Sequence, residues 1–596
     1  MELLNLDGVI EKGVFEIPSY QRGYAWQMRQ LKDFWNDLEH VSKLGDKFHY
    51  MHSLTLRGLE NELEDSAFEI IDGQQRLATS LILLGLLAKI TQNKDPKYSL
   101  INLELVLSYK YYGLNEAFRA IMEEEKDLER FQTSFYAKNL IDAYAFFKEK
   151  ISDTPMETLE NMFDVLTKKM LFSVVELNDN RIDPFSSFET INNRGKDLST
   201  LELLKNRLHF VAHKICNGQK LETLQQEINK TYTIIYYDLR QFKDDDLERF
   251  LKHFVAYYYG ENSKFKERLL DTAFDAHKKY DDLYDEYEKI NDLLLYLSYS
   301  SKVWYFLHTL DDEELRIEIT PKMRSLLDKM WRLNALSDNA FLPLLLSLFT
   351  IQLVGRSVNE QPYTTKELEG LLEYLERFGF LVYGVAGKST AKNEWIELAF
   401  QAFRSYRERE ENITIKDLPT LEKNFFKGEH SGLELLEENI HSKKNTEKWY
   451  QWGKALNYLL YEYELYHNPE TTLNFDSSIE SIEHILPQKP DQGYSAKEKS
   501  WAKNPHVVHA LGNLLLIAKN ANSSLSNKPF EEKRKQYLKG FYSEKEVAKN
   551  ASFGVVQIKE RSEKLLDFLI ARYRIAELVG ESAIKAFKNA LLKEIK

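Results

Sequence analysis

The sequence predicts an α+β protein, predominantly helical, in three parts. Three observations carry that reading. Short apolar runs bounded by glycine or proline, suited to strands, gather toward the two ends of the chain. A long middle stretch instead repeats apolar residues at helical spacing. The 596 residues, 43% apolar and 13% aromatic, are enough for several cores and exclude a disordered chain. The expected parts are residues 1–210 (α/β), 211–440 (a helical connecting region) and 441–596 (two strands and helices).

In the first part Val14-Phe15-Glu16-Ile17 alternates and stops at Pro18, a short strand. The polar and aromatic segment Gln21-Arg22-Gly23-Tyr24-Ala25-Trp26 follows. Leu31, Phe34, Trp35 and Leu38 then mark one face of a helix. Strands are expected over 50–56 and 68–71, the second running into Asp72-Gly73-Gln74-Gln75-Arg76 and an apolar helix over 77–90. A strand, a glycine turn and a helix N-terminus suit an anion, because unpaired backbone N–H groups and the helix dipole favour phosphate. Arg76 adds a charged fork. A surface turn with a solvated arginine explains the same five residues. Residues 188–199, FETINNRGKDLS, read as a helix end, a turn and the capping box Ser199/Glu202 of a new helix.

From about 210 to 440 amphipathic runs recur, with a second capping box at Thr364/Glu367. Tyr236-Tyr237 and Tyr257-Tyr258-Tyr259 fit core packing better than base stacking. The apolar window 340–354 reads as a buried helix, too short for a bilayer. The charged stretch 437–448 reads as a linker or loop, and 455–466 as a helix leading into the last part.

In that last part the strand Ile482-Glu483-His484-Ile485-Leu486 ends at Pro487. A second strand, Leu514-Leu515-Leu516-Ile517, is opened by Gly512-Asn513. A polar turn with Asn520 and Asn522 follows, then a basic helix from about Pro529. An edge strand ended by proline would account for the first piece alone. Two strands, a turn and a helix that bring one histidine and several asparagines together form a minimal one-metal nuclease site. The imidazole of His484 can take a proton from water. The oxygens of Glu483 and Asn522 are hard donors suited to Mg2+ or Mn2+, with Asn520 a substitute for Asn522. Asn513 would orient His484 or the substrate. Lys519, Lys528 and Lys533 could meet backbone phosphates, although Lys533-Arg534-Lys535 also reads as a solvated helix face.

The net charge of −13 does not advertise a DNA-binding protein, but residues 489–545 hold eleven Lys/Arg against five Asp/Glu. The single Cys216 excludes an intrachain disulfide framework and a cysteine zinc site. Met1–Asn5 shows no basic, apolar leader, so a cytoplasmic protein without a membrane partner is expected.

Residues 17–26 (IPSYQRGYAW), 70–80 (IIDGQQRLATS) and 188–199, taken in order, resemble the N-terminal domain of GmrSD-type, modification-dependent restriction enzymes, with a ParB/sulfiredoxin-like core. Glu483-His484-Ile485-Leu486-Pro487, Leu511-Gly512-Asn513-Leu514 and Asn522 resemble the C-terminal HNH (ββα-metal) nuclease domain of the same family. The resemblance implies a nucleoside triphosphate site at Gln21, Arg22, Asp72, Gln74, Gln75 and Arg76, closed or braced by Asn193, Arg194 and Lys196. It implies nucleotide hydrolysis that licenses cleavage of double-stranded phage DNA carrying hydroxymethylated or glucosylated cytosine. His484, Asn513 and Asn522 would be catalytic, with Glu483 and Asn522 on the metal. Where the family carries glycine in F-x-G-S-I, this chain has His52. A homodimer is compatible with the sequence. Two other readings stay open: a nucleotide- or DNA-sensing protein with a silent nuclease domain, and an N-terminal domain that itself does the chemistry.

Overall fold

The computed structural model describes residues 2–596 except 45–46, 60–66, 111–112, 178–197, 277, 314, 316, 421–425, 427–430, 470–479 and 491–492, and leaves out the side chains of residues 100, 101, 244 and 335. Asn193, Arg194 and Lys196 lie outside the described residues. Helices dominate, as the periodicity predicts. The chain divides into two compact units, Met1–Ile317 with Leu345–Glu360, and Glu318–Leu344 with Gln361–Lys596.

The first unit holds a six-stranded mixed sheet in the order β1-β6-β3-β4-β2-β5. Its strands are β1 (Glu2–Asn5), β2 (Val14–Ile17), β3 (His49–Gly58), β4 (Ala67–Asp72), β5 (Leu107–Tyr109) and β6 (Met170–Glu176). β2 lies parallel to both β4 and β5, and β3 runs antiparallel to β4 and parallel to β6. β4 passes through Gly73 into the helix Gln74–Ile90, which is apolar around most of its surface and buried from Leu77 to Ala88. Gly73 caps that helix at φ 99°, and a Cβ there would stand 2.9 Å from the Ser53 carbonyl oxygen, so only glycine suits.

His52 sits at φ 63°, where the β3–β6 register shifts. Glycine takes that left-handed conformation without a Cβ clash. The histidine is exposed, its ring 5.3 Å from that of Tyr50.

The segment after β2 runs through the interior without regular structure, so its backbone groups need side-chain partners. The Gln74 amide donates to Arg22 O at 3.0 Å. The Gln75 amide donates to Gly23 O at 2.9 Å and accepts from Ala25 N at 2.8 Å. Gln21 donates to Ile70 O. The Tyr24 hydroxyl meets Thr79 Oγ1, and Gly23 lies so close under the Tyr136 ring that a Cβ would overlap it.

Both predicted capping boxes form, Ser199/Glu202 and Thr364/Glu367. Tyr236, Tyr257 and Tyr258 are core residues, with the Tyr257 hydroxyl against Ser300 Oγ, whereas Tyr237 is exposed beneath the Arg240 guanidinium. The apolar window is the buried helix Leu342–Ser357. The stretch 437–448, expected as a linker or loop, is corrected at its start, which belongs to the helix Gly432–His441; the rest is a loop in which the buried Asn445 amide bonds Asn439 O and Lys448 O. Its charges suggest solvent, yet one asparagine amide folds it onto itself. The helix predicted after it runs from Lys454 to His467.

Gln75→Ala should destabilise the first unit by about 3 kcal/mol, because it strands the buried Gly23 O and Ala25 N. Calorimetry of the two proteins measures this, and a change below about 0.5 kcal/mol would show that the amide is not holding the segment.

Candidate nuclease site

In the second unit β7 (Glu480–His484) pairs antiparallel with β8 (Leu514–Ala518), Ile482 facing Leu516 and His484 facing Leu514. The helix Lys519–Leu525 follows β8 directly. Asn520 and Asn522 therefore stand on a helix and not in the polar turn that their composition predicts. The Asn522 amide donates to Ser481 Oγ at 2.6 Å and Ile482 O at 3.2 Å, which docks the helix on β7. A second helix, Phe530–Tyr537, carries the basic run.

Successive strand residues point to opposite faces, and Glu483 and His484 do so here. Glu483 turns inward. Its carboxylate accepts from Lys533 Nζ at 2.5 Å and Tyr537 OH at 3.0 Å. Lys533 Nζ also donates to His484 O at 2.8 Å. Burial pushes the Glu483 carboxyl up and the Lys533 amine down, while each charge works against the other's shift. One expectation is corrected by this pair: Lys533 has no exposed side-chain surface to offer DNA. On Glu483 the cation and the phenol both bond Oε1. Lys519 and Lys528 are exposed.

His484 is held on the other face. Its Nε2 lies 3.0 Å from Nδ1 of His509, and the Tyr450 ring stands 4.9 Å from its own. Burial first, then the His509 and Lys533 neighbours, push the His484 imidazole down to about 3, so it is neutral near pH 7. His509 is pushed down by burial as well. Asn513, fully buried, does not touch the imidazole. Its amide donates to Leu486 O at 2.9 Å and Val508 O at 2.7 Å and accepts from Leu486 N at 2.8 Å. One amide thus ties the residues after His484 to the residue before His509. Gly512 admits the helix Val555–Arg572: a Cβ there would overlap Ile558 O, and Arg561 Nη1 donates to Gly512 O and Leu514 O.

Among the described residues no group of three or more His, Cys, Asp or Glu is placed to hold a metal. The fitting donor is Asn522, whose amide nitrogen bonds the strand and leaves its oxygen for a hard cation. Sequence reasoning missed His509 and Tyr450. His509 stands four residues before Asn513, and that proximity was the available signal.

At the other end of the chain, Gln75 spends both amide atoms on backbone, while Gln21 and Gln74 donate their N–H groups to backbone and keep buried oxygens without a partner among the described residues. Arg76 Nη2 bonds Ser53 O at 2.6 Å and Asp72 at 3.3 Å. Arg22 reaches a cavity of about 120 Å³ with Tyr136, Asn139 and Ser199. An open cleft of about 1100 Å³, lined by Lys138, Arg240 and Lys243, shares Gln27, Phe135 and Asn139 with that cavity.

Residues 3–209 match the family model "GmrSD restriction endonuclease, N-terminal domain", and residues 436–568 match "GmrSD restriction endonucleases, C-terminal domain". The chain belongs to the GmrSD restriction endonucleases, with both domains in one polypeptide. It is an endonuclease of restriction, and DNA is its partner. No curated protein matches it. No helix among the described residues is long and apolar enough to cross a membrane.

Two predictions follow from the burial of these groups. A histidine in the unfolded chain titrates near 6.5, so unfolding lets His484 take up a proton that the fold refuses. Its contribution is complete above about pH 6.5 and is lost as the pH falls toward 3. Between pH 7 and 5 the wild type should therefore lose on the order of 2 kcal/mol more than His484→Asn in urea unfolding. Equal losses would show that the imidazole is not buried neutral. Lys533→Ala should cost about 3–5 kcal/mol by leaving Glu483 buried without its cation. The double variant Lys533→Met, Glu483→Leu should recover most of that in the same experiment.

Proposed function

We propose that the second unit is the nuclease and that it hydrolyses DNA with His484 as general base and one divalent cation, Mg2+ or Mn2+, at Asn522. The observation that supports this best is the imidazole held by His509 at the end of β7, in the same strand–strand–helix unit as an asparagine with a free amide oxygen. A neutral imidazole can accept the proton of an attacking water, and a cationic one cannot. A divalent cation when bound supplies neutralisation of charge on the phosphate and on the departing 3′ oxygen. Asn513 keeps the base in place through backbone. Lys519 and Lys528, both exposed, suit the phosphates of a duplex. One such site cuts one strand at a time.

The first unit is the regulator in this reading. It binds a nucleoside triphosphate in the open cleft, lined by Lys243, by Lys138 in an ion pair with Asp142 and by Arg240 on the Tyr237 ring, with Arg22 at the adjoining cavity. Gln74, Gln75 and Arg76 support the wall of that site by holding the 21–25 segment and β3. Nucleotide hydrolysis then licenses cutting of phage DNA with modified cytosine, in the cytoplasm.

The test compares phage DNA with and without modified cytosine, with Mg2+ or EDTA, and with and without nucleoside triphosphate. Cutting should need the metal, respond to nucleotide and modification, and fall at least about 100-fold in His484→Ala. Cutting that survives both EDTA and His484→Ala would move the chemistry out of this site. Arg22→Ala should remove the nucleotide response while leaving nucleotide-independent nicking.

A further inference from the structure

We propose that His509 is the positioning residue of His484: it takes the Nε2 proton of His484 in a hydrogen bond and leaves Nδ1 as the nitrogen that meets the attacking water. The inference rests on His484 being the general base. A neutral imidazole carries one N–H and one lone-pair nitrogen, and only the lone pair can accept a proton. Nε2 of His484 is occupied, 3.0 Å from His509 Nδ1. Nδ1 is the remaining nitrogen; the Gln488 amide nitrogen stands 3.5 Å from it and 3.4 Å from Nε2, both long for a hydrogen bond. With Nε2–H donated to His509, the lone pair falls on Nδ1. With the proton on the other side of the pair, His484 would present N–H to the water and could not act as a base.

Three features hold this arrangement. The rings of His484 and His509 stand 5.0 Å apart and nearly perpendicular, at 80°, so the edge of one ring addresses the other. Tyr450 contacts both, stacking on His509 at an angle of 27° with centroids 5.9 Å apart. Asn513 ties the Leu486 backbone to Val508, which fixes the two histidine-bearing segments side by side although 25 residues separate them. Both imidazoles are buried, 8% exposed each, so water does not compete for the bond.

The experiment uses the full chain and nicking of supercoiled DNA with Mg2+, comparing wild type, His509→Ala, His509→Asn and His484→Ala. An asparagine amide places a polar atom near the position of the imidazole Nδ1. The expected result is a fall in kcat of about 10- to 100-fold for His509→Ala with KM unchanged, and recovery to within about threefold of wild type in His509→Asn. Nitrogen-15 spectra of histidine-labelled protein at pH 8 should show His484 as one tautomer, protonated at Nε2, in wild type and as a mixture in His509→Ala. Equal losses in the alanine and asparagine variants would mean a merely structural role and overturn the proposal. A His509→Ala enzyme within twofold of wild type beside an inactive His484→Ala would also overturn it and leave His484 as the base. Wild-type cutting by His484→Ala would overturn both.

Discussion

Backbone that runs through the interior outside a helix or sheet must still have its N–H and C=O groups paired, and this requirement shapes both ends of the chain. In the first unit the segment from Gln21 to Ala25 crosses the core, and the amides of Gln74 and Gln75 close its carbonyls and one of its N–H groups. In the second unit Asn513 does the same for Leu486 and Val508. A side-chain amide offers a donor and an acceptor in one plane, as a peptide does, so it can stand in for a missing strand. These residues give the motifs much of their appearance, yet their amides bind the protein's own backbone.

Charge burial follows a related rule. Glu483 is tolerated inside because Lys533 and Tyr537 meet it. Glu376 and Glu462 are tolerated because Arg572, Lys329, Tyr458 and Tyr573 surround them, tying helices of the second unit around its core. Such pairs add little net stability, but removing one member leaves a charge in an apolar interior. His484 takes the other way out. It has no carboxylate beside it, so burial keeps it neutral, the form a base requires.

Much of the fold was legible. The 3.6-residue period marks the helices, Ser199/Glu202 and Thr364/Glu367 cap where their pattern says, and Gly73 stands where a strand turns into a helix. The misread elements share a physical cause. Asn520–Ser524 has a turn's composition, but Asn522 docked on β7 makes it a helix. Residues 437–441 have the charge of a linker or loop, but they close the helix Gly432–His441, and Asn445 folds the loop after them back onto its end. Local composition reports what a segment prefers alone, and one well-placed tertiary hydrogen bond can reverse that preference.

By itself the sequence determined the class of fold and the two strands that carry His484 and follow Asn513, although it ran the first of them on to Leu486 where the structure ends it at His484. These depend on residue type and spacing along one chain, which periodicity and capping record directly. The tertiary structure alone decided which side chains face one another. Strand alternation turned Glu483 away from His484 and onto Lys533, and the Asn513 bridge brought His509 to the imidazole from 25 residues away. Contacts between distant residues have no period to reveal them, so the partners of the base became visible only once the chain had closed around it.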